Sequence, residues 1–150
     1  MARYVENTIG KAERDGAAAV VFEMNTPGGL SSAMDDIIDD FRASEVPVIV
    51  YVAPTGARAA SAGVFITYAA QVAAMAPGTN IGSASPVFLG ADGSTSDVDD
   101  TMTAKVTNDA VARIRNLADQ FGRNADWAES AVRDAANITA DEALQLGVIE

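Results

Sequence analysis

One serine in this chain sits where a hydroxyl could do chemistry. Ser61 lies within Gly56-Ala57-Arg58-Ala59-Ala60-Ser61-Ala62-Gly63, flanked on both sides by residues too small to block a substrate. If a helix starts there, its first N–H groups face whatever negative charge develops beside the hydroxyl. Serine is also a common helix N-cap, and the local sequence leaves both roles open. A hydroxyl nucleophile needs a base. The chain has neither histidine nor cysteine, which excludes a Ser-His-Asp triad, a thiolate nucleophile and any His or Cys metal site. The base must then be a carboxylate or a lysine, and the only lysines are Lys11 and Lys105. Spacing puts Lys11 on the solvent side of an amphipathic helix, so Lys105, directly before the apolar Val106, is the better candidate. To accept a proton Lys105 must first lose its own, which requires a desolvated setting that Met102, Val106 and neighbouring core are expected to supply. The plainer reading of Lys105 is a solvated helix lysine.

Acyl transfer also needs donors for the oxyanion. The N–H of Ala62, directly after the serine, is one candidate. A second comes from Pro27-Gly28-Gly29, where the lack of side chains lets backbone approach a substrate carbonyl. On its own, Pro-Gly-Gly is an ordinary tight turn; its weight comes from the combination.

These residues have to be positioned by the elements between them. Tyr4, Val5, Thr8, Ile9 and Ala12 recur at helical spacing, which predicts a helix over 3–15 ending at Gly16. Residues 17–24 form an apolar, partly β-branched run and read as a buried strand, followed by the turn at 25–29. Leu30, Met34, Ile37, Ile38 and Phe41 mark one face of a second helix. Asp35, Asp36, Asp39 and Asp40 lie largely on its other face and are expected to be solvated. A second strand over 46–52 leads through Pro54-Thr55-Gly56 to Ser61, a helix over 61–70 and a strand over 72–76. Strands alternating with helices imply parallel crossover units, with both glycine turn and serine loop at the carboxyl edge of the sheet. Residues 90–97 are small and polar and read as a mobile loop acting as a lid. Helices over 101–121 and around Trp127, Ala131 and Val132 follow. Thr139-Ala140-Asp141-Glu142 is a capping box, Gly147 closes the short helix it opens, and Val148-Ile149 reads as the start of a strand.

Composition bounds the function. With 150 residues, 49% hydrophobic and 21% charged, the chain suits one domain with a real core. A net charge of -11 argues against nucleic acid, whose binding depends on a basic surface. No residue between Ala59 and Ala91 is charged, but Ser61, Gly63, Gln71, Pro77, Gly78, Asn80 and Gly82 interrupt that segment. A span requires roughly 20 continuous apolar residues, so the segment reads as the buried middle of an α/β protein. No signal peptide is visible at the start.

Three ordered motifs carry a resemblance. Asn-Thr-Pro-Gly-Gly-Leu at 25–30, Ala-Arg-Ala-Ala-Ser-Ala-Gly at 57–63 and Met-Ala-Pro-Gly-Thr-Asn-Ile-Gly at 75–82, with Phe-Gly-Arg-Asn at 121–124 and the Leu-Gly-Val-Ile ending, resemble the NfeD family of membrane-bound ClpP-class serine proteases. The resemblance implies a ClpP/crotonase-like α/β fold with a mostly parallel sheet. It also implies a Ser-Lys dyad at Ser61 and Lys105, an oxyanion hole at Gly29 and Ala62, substrate-binding backbone at Gly28 and Leu30, and no cofactor or metal. Its substrates are apolar peptide segments of stomatin-like membrane proteins, paired with the site as an extended strand. The chain is expected to start within the family's first helix, lacking its opening strand, and to stop before the transmembrane helices and small β-barrel domain. The parent would then be membrane-anchored, with this domain outside the cytoplasm, and the bared sheet edge would pair with another chain, at least in a dimer. Two other readings compete. One is a crotonase-type acyl-CoA enzyme on the same oxyanion hole, with Glu23 as its base, and the other is an inactive scaffold.

Overall fold

A computed structural model describes residues 1–88 and 99–150. The three valine-rich or apolar runs become β1 (Val20–Met24), β2 (Val48–Val52) and β4 (Val72–Met75) of one parallel sheet ordered β1-β2-β4. Val20 lies opposite Val48 and Val52 opposite Met75, so the strands end together at their carboxyl edge. Val48, Val50 and Val52 are fully buried, as alternate residues of a central strand should be. Helices α1 (Ala2–Arg14) and α2 (Ser31–Ala43) bury Val5 and Ile9 and Met34, Ile37, Ile38 and Phe41 of their predicted apolar stripes, while Tyr4 and Leu30, also expected there, are exposed. Phe41 stacks on Phe22 of β1 with centroids 5.6 Å apart.

The uncharged middle of the chain is explained by α3 (Ala62–Ala69), which buries every residue except Ile66. A helix apolar all round belongs inside a protein, and α3 packs between α2 and α4 (Asp100–Phe121). Among the described residues, no helix is long and apolar enough to cross a membrane. Asp99 caps α4, accepting from the Met102 N–H, and Asn124 caps α5 (Ala125–Arg133) in the same way through Trp127. The predicted capping box is present on α6 (Ala140–Gln145), with Thr139 and Glu142 each satisfying the other's backbone N–H.

Three short strands were not legible in the sequence. β3 (Arg58–Ala60), β5 (Asn80–Gly82) and β6 (Asn137–Thr139) form a second sheet, parallel between β3 and β5 and antiparallel between β5 and β6. At three residues each they are too short to show a period of two. Other boundaries shift by a few residues: β1 starts at Val20 rather than Ala17, and β2 at Val48 after Pro47. Val148 and Ile149 do not form a strand. They are buried, and it is Glu150 that meets Ala73 of β4, its N–H donating to the Ala73 carbonyl and its carboxylate accepting from the Ala73 N–H. The predicted lid at 90–97 lies outside the described residues.

Arg123, from the Phe-Gly-Arg-Asn motif, locks the C-terminus to the core. Its guanidinium is almost wholly buried, pairs through Nε and Nη2 with Glu150, and donates through Nη1 to the carbonyls of Tyr68 (3.0 Å) and Ala70 (2.9 Å). Those carbonyls lie at the C-terminal end of α3, where no intrahelical donor remains. Burial pushes the neighbouring Tyr68 phenol above its usual range, with the Arg123 charge opposing, and its O–H donates to the Asn124 carbonyl. Arg123→Ala is expected to cost roughly 3–5 kcal/mol in urea unfolding, because it strands a partly buried carboxylate and two helix-end carbonyls. Glu150→Gln, at the half-exposed end of the pair, should cost about 1 kcal/mol or less.

Candidate active site

Ser61 is the hinge between β3 and α3. The strand ends at Ala60, the helix begins at Ala62, and the serine between them adopts φ 55° and ψ -119°. For a residue with a Cβ this is a strained backbone, of the kind that costs about 1–3 kcal/mol and persists where the surroundings impose it. Here they do. The Ser61 N–H donates to the Gly82 carbonyl of β5, and the Val64 N–H returns to the Ser61 carbonyl. Ser61 holds the N-cap position of α3, yet its side chain makes no capping bond. Among the described residues the hydroxyl has no hydrogen-bond partner. The capping role that the local sequence left open is therefore not taken up. A serine on a tight strand-to-helix turn is the geometry that exposes a nucleophile in α/β hydrolases.

Ser61 opens into a cavity of about 370 Å³ whose wall includes Gly29 and Ala62. Neither residue's N–H donates to an acceptor among the described residues. For Ala62 that follows from its place in the first turn of α3. The glycine turn is brought to Ser61 by a tether the sequence did not reveal: Thr26 forms a parallel bridge with Ala59 of β3. Its N–H donates to the Arg58 carbonyl at 2.8 Å, and its carbonyl accepts from the Ala60 N–H at 3.1 Å. Gly28 then passes so close that a Cβ built on it would lie 2.9 Å from Ser61 Cβ and 3.2 Å from Oγ. With φ at +133° as well, this position demands glycine. Gly28→Ala is accordingly expected to lose about 2 kcal/mol or more of stability. It should cut any Ser61-dependent turnover at least 10²-fold, compared at matched folded concentration.

The remaining wall is apolar near α3 and charged further along. Met34, Phe65, Ala84, Pro86, Val106 and Ala110 supply the apolar part. Asp35, Asp109 and Arg113 also line the cavity, and Arg113 pairs with Asp35 across from α4 to α2. Sequence reasoning missed all three. Val106, Ala110 and Arg113 recur at helical spacing on α4, a signal that identifies the face but not what it faces. The pairing also corrects the expectation that the acidic face of α2 is simply solvated.

Lys105 lies near the start of α4, one residue before Val106, and its side chain is exposed. Among the described residues the apolar surroundings expected for it are absent, since Met102 is itself exposed. Lys11, as expected, is at the surface, 2.8 Å from Asp15. Leu30 is exposed at the N-cap of α2 rather than on the cavity wall. Glu23, the base the acyl-CoA alternative needs, is exposed on β1 and does not line the cavity. Among the described residues no cluster of carboxylates could hold a metal ion.

Comparison with known proteins now bears on this geometry. The family model described as the NfeD1b N-terminal domain matches residues 1–146. The chain is 44% identical over 139 residues to the membrane-bound protease PH1510 of Pyrococcus horikoshii, covering 93% of this chain and 31% of that protein. It thus spans about a third of that relative's length. Among solved structures it superposes with TM-score 0.91 and 40% identity on a lysine-to-alanine variant of the 1510-N membrane-bound stomatin-specific protease in complex with a substrate peptide. That alignment covers 99% of this chain and 67% of the other. A serine-to-alanine variant of the same protease matches equally well, over 70% of its length. ClpP1 from Listeria monocytogenes shares the fold, with TM-score 0.70 at 18% identity over 99% of this chain and 81% of its own. The expected ClpP-like α/β fold is thereby found.

Proposed function

This chain belongs to the family of NfeD1b N-terminal domains, and from that membership and the geometry around Ser61 we propose that it is a serine endopeptidase. The observation that carries the reading is the Ser61 hydroxyl, which makes no cap bond, on a strained strand-to-helix turn, opening into a cavity shared with two backbone donors that have no acceptor among the described residues. In this reading Ser61 Oγ attacks the peptide carbonyl, its proton passes to neutral Lys105, and the Gly29 and Ala62 N–H groups hold the oxyanion. Lys105 then returns the proton to the leaving amine, and water releases the acyl group by the same route in reverse. Because Lys105 is exposed in the free chain, the reading requires the bound peptide to cover it and exclude water. A relative trapped with its substrate peptide as a lysine-to-alanine variant supports a lysine in this role.

The substrate class follows from the cavity wall and from the relative. Met34, Phe65, Val106 and Ala110 suit an apolar side chain beside the scissile bond. The related protease is described as stomatin-specific, and apolar segments of stomatin-like membrane proteins are the substrates proposed here. Gly28, beside Ser61, and Leu30, at the N-cap of α2, would border the bound peptide. Anchoring of the parent protein to a membrane, with this domain outside the cytoplasm, belongs to the same proposal, as does a homo-oligomer using the edge of β1, which pairs only with β2 among the described residues. The test is incubation with apolar peptides and charge-rich peptides of equal length, with products read by mass spectrometry. Ser61-dependent internal cleavage of the apolar set is the expected result. Binding of a CoA thioester with no peptide cleaved would replace this reading by the acyl-CoA one, and neither activity would favour the scaffold.

A further inference from the structure

A Gly28-Gly29 peptide has little of its own to hold it in one orientation, since glycine on both sides makes a flip of that unit inexpensive. The geometry points to Thr26 as the residue that aims it. The Thr26 hydroxyl accepts from the Gly28 N–H at 3.1 Å and donates to the Gly28 carbonyl at 3.0 Å, which uses its single proton once and one lone pair once. That carbonyl belongs to the same planar trans unit as the Gly29 N–H, so fixing the oxygen toward Thr26 directs the N–H to the opposite side. Thr26 therefore sets the direction of the Gly29 donor without touching substrate. This inference rests on the protease reading for its consequence in turnover, but not for the orientation itself.

The same residue is fastened to the nucleophile's side of the site. Its backbone is hydrogen-bonded to Arg58 and Ala60 of β3, directly before Ser61. Its methyl group fills the space beside Gly63, where an added Cβ would lie 2.7 Å from Thr26 Cγ2. One side chain thus links the glycine turn, the strand before Ser61 and the first turn of α3. Threonine meets all three demands: a hydroxyl for the peptide, a methyl for the helix and a β-branched backbone for the bridge. Thr26 is a positioning residue.

The variants Thr26→Val and Thr26→Ser separate these parts. Val keeps the shape and removes the hydroxyl, whereas Ser keeps the hydroxyl and removes the methyl. With cleavage of an apolar peptide as readout, Thr26→Val is expected to lower kcat about 10- to 100-fold with KM within about threefold, less than the 10²–10³ lost with a whole oxyanion donor. Thr26→Ser should retain kcat within a few-fold. Equal losses in the two variants, or unchanged kcat in Thr26→Val, would overturn the inference. The amide resonance of Gly29, read by nitrogen-15 NMR, decides the orientation even if the wild-type chain cleaves nothing. Thr26→Val should broaden or double that signal and Thr26→Ser should leave it single. A single sharp Gly29 signal in Thr26→Val would contradict the assignment, while an inactive wild type with the expected doubling would sink the protease reading alone.

Discussion

Ser61→Ala is expected to abolish peptide cleavage, with kcat/KM falling by on the order of 10⁴-fold or more, while the fold is retained. Removing a nucleophile leaves only the contribution of binding and oxyanion donors, so the loss should be close to complete. The accompanying stability change distinguishes a strained nucleophile from an ordinary surface serine. Ser61 sits at φ 55° with an unpartnered hydroxyl among the described residues, and alanine inherits the same strained backbone. Ser61→Gly does not. It should be more stable than Ser61→Ala by roughly 1 kcal/mol in urea unfolding, the relief of strain being partly offset by the extra freedom of glycine in the unfolded chain. Two equally inactive variants with that stability order would mean that the native turn holds its serine against a local conformational cost. Cleavage persisting in Ser61→Ala would remove the serine from the reaction.

The second large effect is expected at Lys105. Lys105→Ala should lower kcat by about 10³-fold or more with little effect on stability. The side chain is exposed and has no ion-pair partner among the described residues, and such surface substitutions usually fall within about 0.5 kcal/mol. Lys105→Arg should be as inactive as the alanine variant, because a guanidinium does not give up its proton and cannot serve as a base. This comparison separates proton transfer from mere positive charge at this position. Rescue by arginine would assign Lys105 an electrostatic role, and cleavage within tenfold of wild type in Lys105→Ala would send the search for the base to another residue. Asp109, on the cavity wall four residues further along α4, would be the first to test.

What could be read from the sequence follows the length scale of each signal. The amphipathic stripes of α1 and α2 and the apolar runs of β1 and β2 extend over many residues, and those elements appear within a few residues of where the patterns put them. The capping box of Thr139 and Glu142 was legible because its mechanism is local, two side chains answering two N–H groups three residues apart. β3, β5 and β6 were not legible, since Arg58-Ala59-Ala60 has neither length nor β-branched character and becomes a strand only by pairing with β5 and Thr26. The site divides in the same way. Ser61, Gly28 and Gly29 stand out by residue type, and the structure sets them side by side. The tethering of Thr26 and the pairing of Asp35 with Arg113 depend on contacts across more than 30 residues of sequence, which no local pattern records: Thr26 meets Ala59 and Gly63, and Arg113 meets Asp35. The setting of Lys105 went the other way. An apolar neighbour at Val106 suggested burial, but on a helix adjacent residues point in different directions, and Lys105 faces outward while Val106 lines the cavity.

The central claim is that Ser61 is an activated nucleophile, and covalent labelling tests it most directly. The chain is treated with a fluorophosphonate, digested, and the modified residue located by mass spectrometry. One adduct on the peptide containing Ser61, absent from Ser61→Ala and strongly slowed in Lys105→Ala, is the predicted result. Labelling that is unchanged in Ser61→Ala, or an adduct on another serine of the folded chain, would contradict the account.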